Sequence, residues 1–395
     1  MIRNKSILLI TILFILLSSY YSFSEGTVQD DTETSEEFIE KQLKSLNVEE
    51  LESVLDDMLK DKKYHFNIDI KEVILSIIKG ETSFDIKFLV NEAIKSFFNE
   101  ILDNLVLISQ ILVITITCTV LSNLQSSFEK DTVAQLAHYA CYMILSMLII
   151  NSFTLAFDLG KDTVTQMVNF MQIILPLLLA LLTAVGASGT RLIFHPIVVG
   201  AVNIIGILIK NLVFPLIFFT FIIGIISNIS QKVQFTKLSE LMRQIVIVII
   251  SASFTVFIGI ITIYGMGANI DGVTIRTAKF AVDSFIPIIG KFLSDAVEVV
   301  VGSSAILKNG IGMIGLIVLF LICLTPAIKI MVLIFVYKIA AALLQPIAST
   351  NIFTCFSEVS KALLLVLVGI LSVATMFFIT ITVIVEAGNT ALMFR

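Results

Sequence analysis

The 395-residue chain has no tryptophan, only 6 prolines and 4 cysteines, and few charges: Asp, Glu, Lys and Arg make up 14% of it. A soluble domain carries nearer to about 25%, so a water-covered globule is a poor fit. In place of the charges stand 57% apolar residues and a mean hydropathy of +1.00. That composition belongs to a multi-spanning membrane protein. Lacking Trp, any interfacial aromatic belt must be built from Tyr and from the 30 Phe. Cys118, Cys141, Cys323 and Cys355 lie in or beside apolar runs, and none form a CxxC pair. This argues against a zinc site or a disulfide framework and reads as small buried hydrophobes. There is no HExxH, P-loop or G-x-S-x-G string, and His65, His138 and His195 are isolated. The chain is therefore read as not an enzyme, with no cofactor and no metal.

Charge is divided unevenly. Residues 25–104 hold 20 acidic and 9 basic residues, whereas 105–395 hold 11 and 15. An acidic, soluble front thus precedes a mildly basic membrane part. Residues 1–24, "MIRNKSILLITILFILLSSYYSFS", have two cations, an apolar core and small residues at Ser22 and Ser24. This is the pattern of a cleaved signal peptide, with an uncleaved membrane anchor as the rival reading, and either one sets residues 25–104 outside the cytoplasm. Within them, 25–36 lack apolar period, and from Glu37 apolar residues recur at helical spacing. Such amphipathic helices pack on one another, lie on the membrane, or dock a partner. Their negative charge weighs against nucleic acid and anionic lipid.

Apolar runs fall at about 105–122, 136–157, 167–186, 195–209, 212–229, 243–264, 283–303, 311–325, 327–345 and 362–385. Several are shorter than the about 20 residues that a span needs, so ten is an upper number. Two strings among them are nearly alike: "FTKLSELMR" from Phe235 and "FTCFSEVSK" from Phe353. Pro176 and Pro215 are 39 residues apart, as are Pro287 and Pro326. The fold class expected is all-α: a polytopic helical membrane protein with a signal peptide (1–24) and an extracytoplasmic acidic helical segment (25–104). A first membrane helix pair (105–158) follows, then two repeat units of about four helices (163–264 and 274–385). An even helix number gives both copies one orientation, the parallel kind of repeat. Lys232, Lys237, Arg243 and Lys361 then set the paired strings on the cytoplasmic side, with Lys130, Arg191 and Lys308. Lys161, Lys210, Arg276 and Lys279 fall on the other side.

Three groups of residues are candidates for function. In the repeated string, Phe235, Thr236, Ser239, Glu240 and Arg243 correspond to Phe353, Thr354, Ser357, Glu358 and Lys361. Thr236 and Thr354 suit N-caps, and Glu240 and Glu358 suit first turns, with Glu240–Arg243 and Glu358–Lys361 as i,i+3 pairs. The string is either a membrane helix start used twice or a pair of cytoplasmic handles for a partner. The second group is Lys279, Asp283, Lys291, Asp295 and Glu298, which share one helical stripe. Intramembrane charge marks a pathway or subunit contact by default, and an amphipathic surface helix is the alternative. The third is Pro176, Pro215, Pro287 and Pro326, which would kink helices and free carbonyls for neighbours or water.

The stretches "FMQIILPLLLALLTAVGASG", "VQFTKLSELMRQIV", "TIRTAKFAVDSFIPIIGKFLSDAVEVVVGSSAILKNGIGMIG" and "FSEVSKALLLVLVGILSV", behind a signal peptide and an acidic front, resemble the stage III sporulation protein AE family. The resemblance implies a membrane subunit of the trans-envelope channel or secretion-like complex linking mother cell and forespore, needed for late forespore gene expression. The implied partners are other stage III A-operon proteins, including a secretion-type ATPase and ring-forming membrane proteins, and indirectly stage II protein Q. The implied location is the mother-cell membrane facing the forespore. It carries over no catalytic or ligand residues. The rival is a stand-alone secondary transporter of a small solute using the charged 279–298 stripe. The parallel repeat and prolines suit both, and the sizeable extracytoplasmic segment favours the assembly.

Overall fold

The computed structural model describes residues 86–127, 132–185, 188–229, 235–285, 289–346 and 350–393. The signal peptide and residues 25–85 of the acidic segment lie outside the described residues, as does Pro287. All described elements are helical. They are α1 (Ile86–Asp103), α2 (Leu105–Ser127), α3 (Thr132–Ala184), α4 (Ser188–Leu208), a π-helical turn (Ile209–Val213), α5 (Phe214–Ile229), α6 (Thr236–Phe285), α7 (Ile289–Leu344) and α8 (Thr350–Met393).

The ten apolar runs condense into fewer, longer helices. Runs 136–157 and 167–186 lie in one 53-residue helix, α3, and runs 311–325 and 327–345 lie together in α7. Among the described residues, five stretches are long and apolar enough to cross a membrane: Tyr142–Ala184, Pro196–Ser227, Thr236–Ile263, Val301–Leu344 and Phe353–Ala387. A sixth forms if Ile94–Asp103 and Leu105–Val120, bent by 45°, count as one. The expected domain edge at residue 104 is that bend. There the Asn104 amide donates to the Glu100 carbonyl oxygen at 2.8 Å, capping the end of α1. The boundaries 158/163 and 264/274 fall inside α3 and α6.

The described prolines of the third candidate group lie within helical backbone. Pro176 and Pro326 each sit inside a continuous helix. At Pro215 the helix widens instead of stopping. A proline ring collides with the carbonyl four residues back, here Asn211, and the π turn just before it relaxes that position. Phe214 N–H reaches past it to Ile209 O.

α8 is the central element, in contact with α3, α5, α6 and α7. Leu363, Val366, Ile370, Val373, Phe377, Ile381 and Ile384 recur every three or four residues and are all buried. α3 buries Phe153, Val164, Met167, Phe170 and Ile174 in the same core. Lipid is as apolar as leucine, so close packing replaces hydrophobic exclusion as the glue between membrane helices. The packing is visible where α3 meets α5: Phe153 stacks on Phe221 with centroids 3.6 Å apart, and Phe157 meets Phe214 at 5.4 Å. A Cβ on Gly160 of α3 would stand 2.6 Å from Val366 of α8.

Candidate functional site

The two repeated strings come together at one end of the bundle. α6 and α8 both begin there and run side by side. Phe235 precedes α6, and its N–H donates to Ser227 Oγ at 2.9 Å, so the end of α5 caps the start of α6. Ser239 N–H donates to Phe235 O at 3.0 Å, closing the first turn. Thr236 is exposed at the first helical position. Ser239 is buried, and its hydroxyl donates to Thr220 O on α5 at 3.2 Å.

The expected charge pairing changes in one respect. Glu358 and Lys361 do pair within α8, at 2.7 Å. Glu240 turns back to Lys237 at 3.0 Å, on the exposed surface. Arg243 instead crosses to α8, its Nη2 2.6 Å from Glu358 Oε2. The i,i+3 rule supplies only local partners, and here a tertiary one is nearer. Glu358 therefore holds two cations, one on each oxygen, with its side chain only 20% exposed and that of Arg243 18%. Gly224 of α5 makes the space: a Cβ there would meet Glu358 Oε2 at 3.4 Å and Ser239 Oγ at 3.5 Å. Thr354 does not stand at a cap, because α8 starts at Thr350 and places it inside the first turns. Phe353 and Ser357 are half-buried there.

The backbone carrying Lys279 and Asp283 is the end of α6, and that carrying Lys291, Asp295 and Glu298 is the start of α7. The side chains of these five residues lie outside the described residues.

Two polar features escaped the sequence reading. Lys308, expected in a cytoplasmic connection, is fully buried inside α7. Its ammonium donates to Val385 O at 2.6 Å and to Asn389 Oδ1 at 3.1 Å, both on α8. The polar residues between the apolar runs on either side had suggested a connection, but no proline stands among them and the helix runs through. The second feature is a polar groove of about 300 Å³ between α3 and the α4–π turn, lined by Thr165, Asn169, Gln172, Asn203, Lys210 and Asn211 among others. Lys161 and Lys210, both expected on the side away from the cytoplasm, lie inside helical backbone here. A larger crevice of about 860 Å³ opens between α2, α3 and α7, with Glu100, Gln110, Asn151 and Lys329 on its walls.

Taken together, the helices and their intramembrane polar groups define an all-helical polytopic membrane protein. The sequence model of the stage III sporulation protein AE family matches residues 68–388. The chain is also similar to stage III sporulation protein AE of Bacillus subtilis (strain 168), at 33% identity over the whole of both chains. The chain belongs to the stage III sporulation protein AE family, and its role is in sporulation. No solved structure matches it.

Proposed function

We propose that this protein is a non-enzymatic membrane subunit of a trans-envelope, secretion-like complex that links mother cell and forespore during endospore formation. In this reading it sits in the mother-cell membrane facing the forespore, and its acidic N-terminal segment projects out of the cytoplasm after signal cleavage. Its partners are the other stage III A-operon proteins, a secretion-type ATPase and ring-forming membrane proteins among them, with stage II protein Q reached indirectly. Late forespore gene expression depends on the assembly. The observation that carries the reading is a family match across the helical core of a chain with five membrane-length helices. Membership gives the developmental stage, and the helices give the place where such a subunit works.

The test is an in-frame deletion in the native host, followed by microscopy and by a reporter of late forespore transcription. The expected result is engulfment followed by arrest, with the reporter silent. Mature spores in normal numbers would overturn the proposal. A tagged full chain should also co-purify with several other membrane proteins.

A further inference from the structure

We infer that the groove between α3 and α4 is filled with water and forms one wall of a hydrophilic path for small hydrated solutes through the helical bundle. The argument begins with spacing. Asp158, Asp162, Thr165, Asn169 and Gln172 follow one another at intervals of four, three, four and three residues. In a helix that puts all five on one face, and α3 is continuous through them. Four of the five are exposed and Thr165 is partly so. Across the groove stand Asn203, Lys210 and Asn211.

Thr165 Oγ1 donates to the Lys161 carbonyl oxygen at 2.9 Å, but little else within the protein satisfies these groups. Gln172 Nε2 donates to Asn203 Oδ1 at 2.6 Å, and Asn203 Nδ2 donates to Val199 O at 3.1 Å. Each amide has two donors and an acceptor with two lone pairs, so most of this capacity is left over. Among the described residues Asn169, Lys210 and Asn211 have no side-chain partner. Hydrocarbon cannot supply one, and polar groups inside a membrane face a bundle interior or water.

Two further observations set the groove apart from accidental polarity. Lys210 and Asn211 lie in the π turn Ile209–Val213, and single π turns inside α-helices re-aim side chains, often at functional positions. The same helix also has an ordinary lipid-type face: Ile204 is 64% exposed and adjoins Asn203. Polar and apolar exposure therefore occur at one level of the bundle, in different directions. A groove at the membrane surface would wet both. The inference rests on the membrane reading of the helices and not on the sporulation complex, so a normal deletion phenotype would leave it standing.

The experiment places single cysteines in the full chain in its native membrane: Thr165→Cys, Asn169→Cys, Gln172→Cys, Asn203→Cys and, level with the last, Ile204→Cys. A charged, membrane-impermeant methanethiosulfonate is the probe, and the parent chain sets the background; its Cys118, Cys323 and Cys355 are buried. The thiolate attacks the reagent's thiosulfonate sulfur and releases sulfinate, and a thiol in an apolar setting loses about tenfold of its thiolate for each unit by which its pKa rises. The expected result is that the groove positions react about tenfold or more faster than Ile204→Cys. Equal, slow reaction at all positions would mean that lipid or another protein seals the groove, and it would overturn the inference. Equal, fast reaction at Asn203→Cys and Ile204→Cys would place the groove at the membrane surface and overturn it as well. Four groove positions guard against any one variant failing to accumulate.

Discussion

Arg243 and Glu358 stand 115 residues apart in the chain and meet at 2.6 Å, joining the starts of α6 and α8. Each comes from one of the two similar strings, so the cation that closes the first string neutralises the carboxylate of the second. Arg243 Nε has no partner beside it, and the pair is four-fifths covered by protein. Glu358→Gln leaves a mostly buried guanidinium short of its counter-charge. It should cost about 1–3 kcal/mol, between the values for exposed and fully buried pairs. Lys361→Gln, at the exposed arm, should cost under about 1 kcal/mol. Thermal unfolding in detergent orders the three chains. The exchange Arg243→Glu with Glu358→Arg should recover part of the loss, and a double-mutant cycle measures how much.

Glycine substitutions should split by sign. At Gly160 a new methyl would lie 2.6 Å from Val366 Cγ1 and 3.1 Å from Phe214 Cε1, where α3, α5 and α8 meet. Gly160→Ala should destabilise by about 1–3 kcal/mol, and Val366→Ala in the same chain should relieve it. Gly200 and Gly259 have nothing within 4 Å of such a methyl. There the gain in helix propensity acts alone, and alanine should stabilise by about 0.5–1 kcal/mol. The same melting assay checks all four chains.

How far the fold can be read from the chain depends on what each signal measures. Hydropathy reports solvent, and it found the apolar helices correctly. It does not report backbone continuity. The interval Asp158–Gln166 is polar but has no proline, so α3 passes through it, and two runs that looked like separate spans are one helix. Pro326, where two apolar runs were divided, lies inside one long helix. The similar strings were legible, yet their mutual contact was not, because nothing local tells Arg243 to prefer Glu358 over Glu240. The polar stripe on α3 was open to view as a 4-3-4-3 spacing. It was missed because the interval holding its first members was taken for a connection.

Ser152 of α3 and Tyr337 of α7 share a hydrogen bond between two buried hydroxyls. Ser152 has a second outlet, since its hydroxyl also approaches the Ile149 carbonyl at 3.1 Å. Tyr337 is fully enclosed. The two truncations should therefore differ. Tyr337→Phe removes one bond and leaves Ser152 served, for about 0.5–1.5 kcal/mol. Ser152→Ala strands a buried phenol and should cost more, about 1–3 kcal/mol. A reversed order in detergent melting curves would mean that Tyr337 finds another acceptor.

Lys308 presents the sharpest conflict between burial and charge in the described residues. It is 0% exposed, and the oxygens it reaches belong to the last turns of α8. Asn389 Oδ1 accepts from it at 3.1 Å, and the Glu386 carboxylate on the same helix adds electrostatic attraction. A buried charge is tolerable only while its hydrogen bonds are made. Asn389→Leu removes one of them and keeps the ammonium in place, so it should destabilise by about 1–3 kcal/mol. Lys308→Met removes the ammonium itself and fills nearly the same volume. Replacing a buried charge by a packed apolar group is often neutral or stabilising, so this chain should melt no lower than the parent. In the double variant the cost of Asn389→Leu should largely vanish, because no charge is left to strand. If Lys308→Met melts lower instead, the lysine binds α7 to α8 and its place in the chain is structural. If stability holds while spore formation falls, the buried ammonium is retained for its chemistry, as intramembrane ionisable groups commonly are.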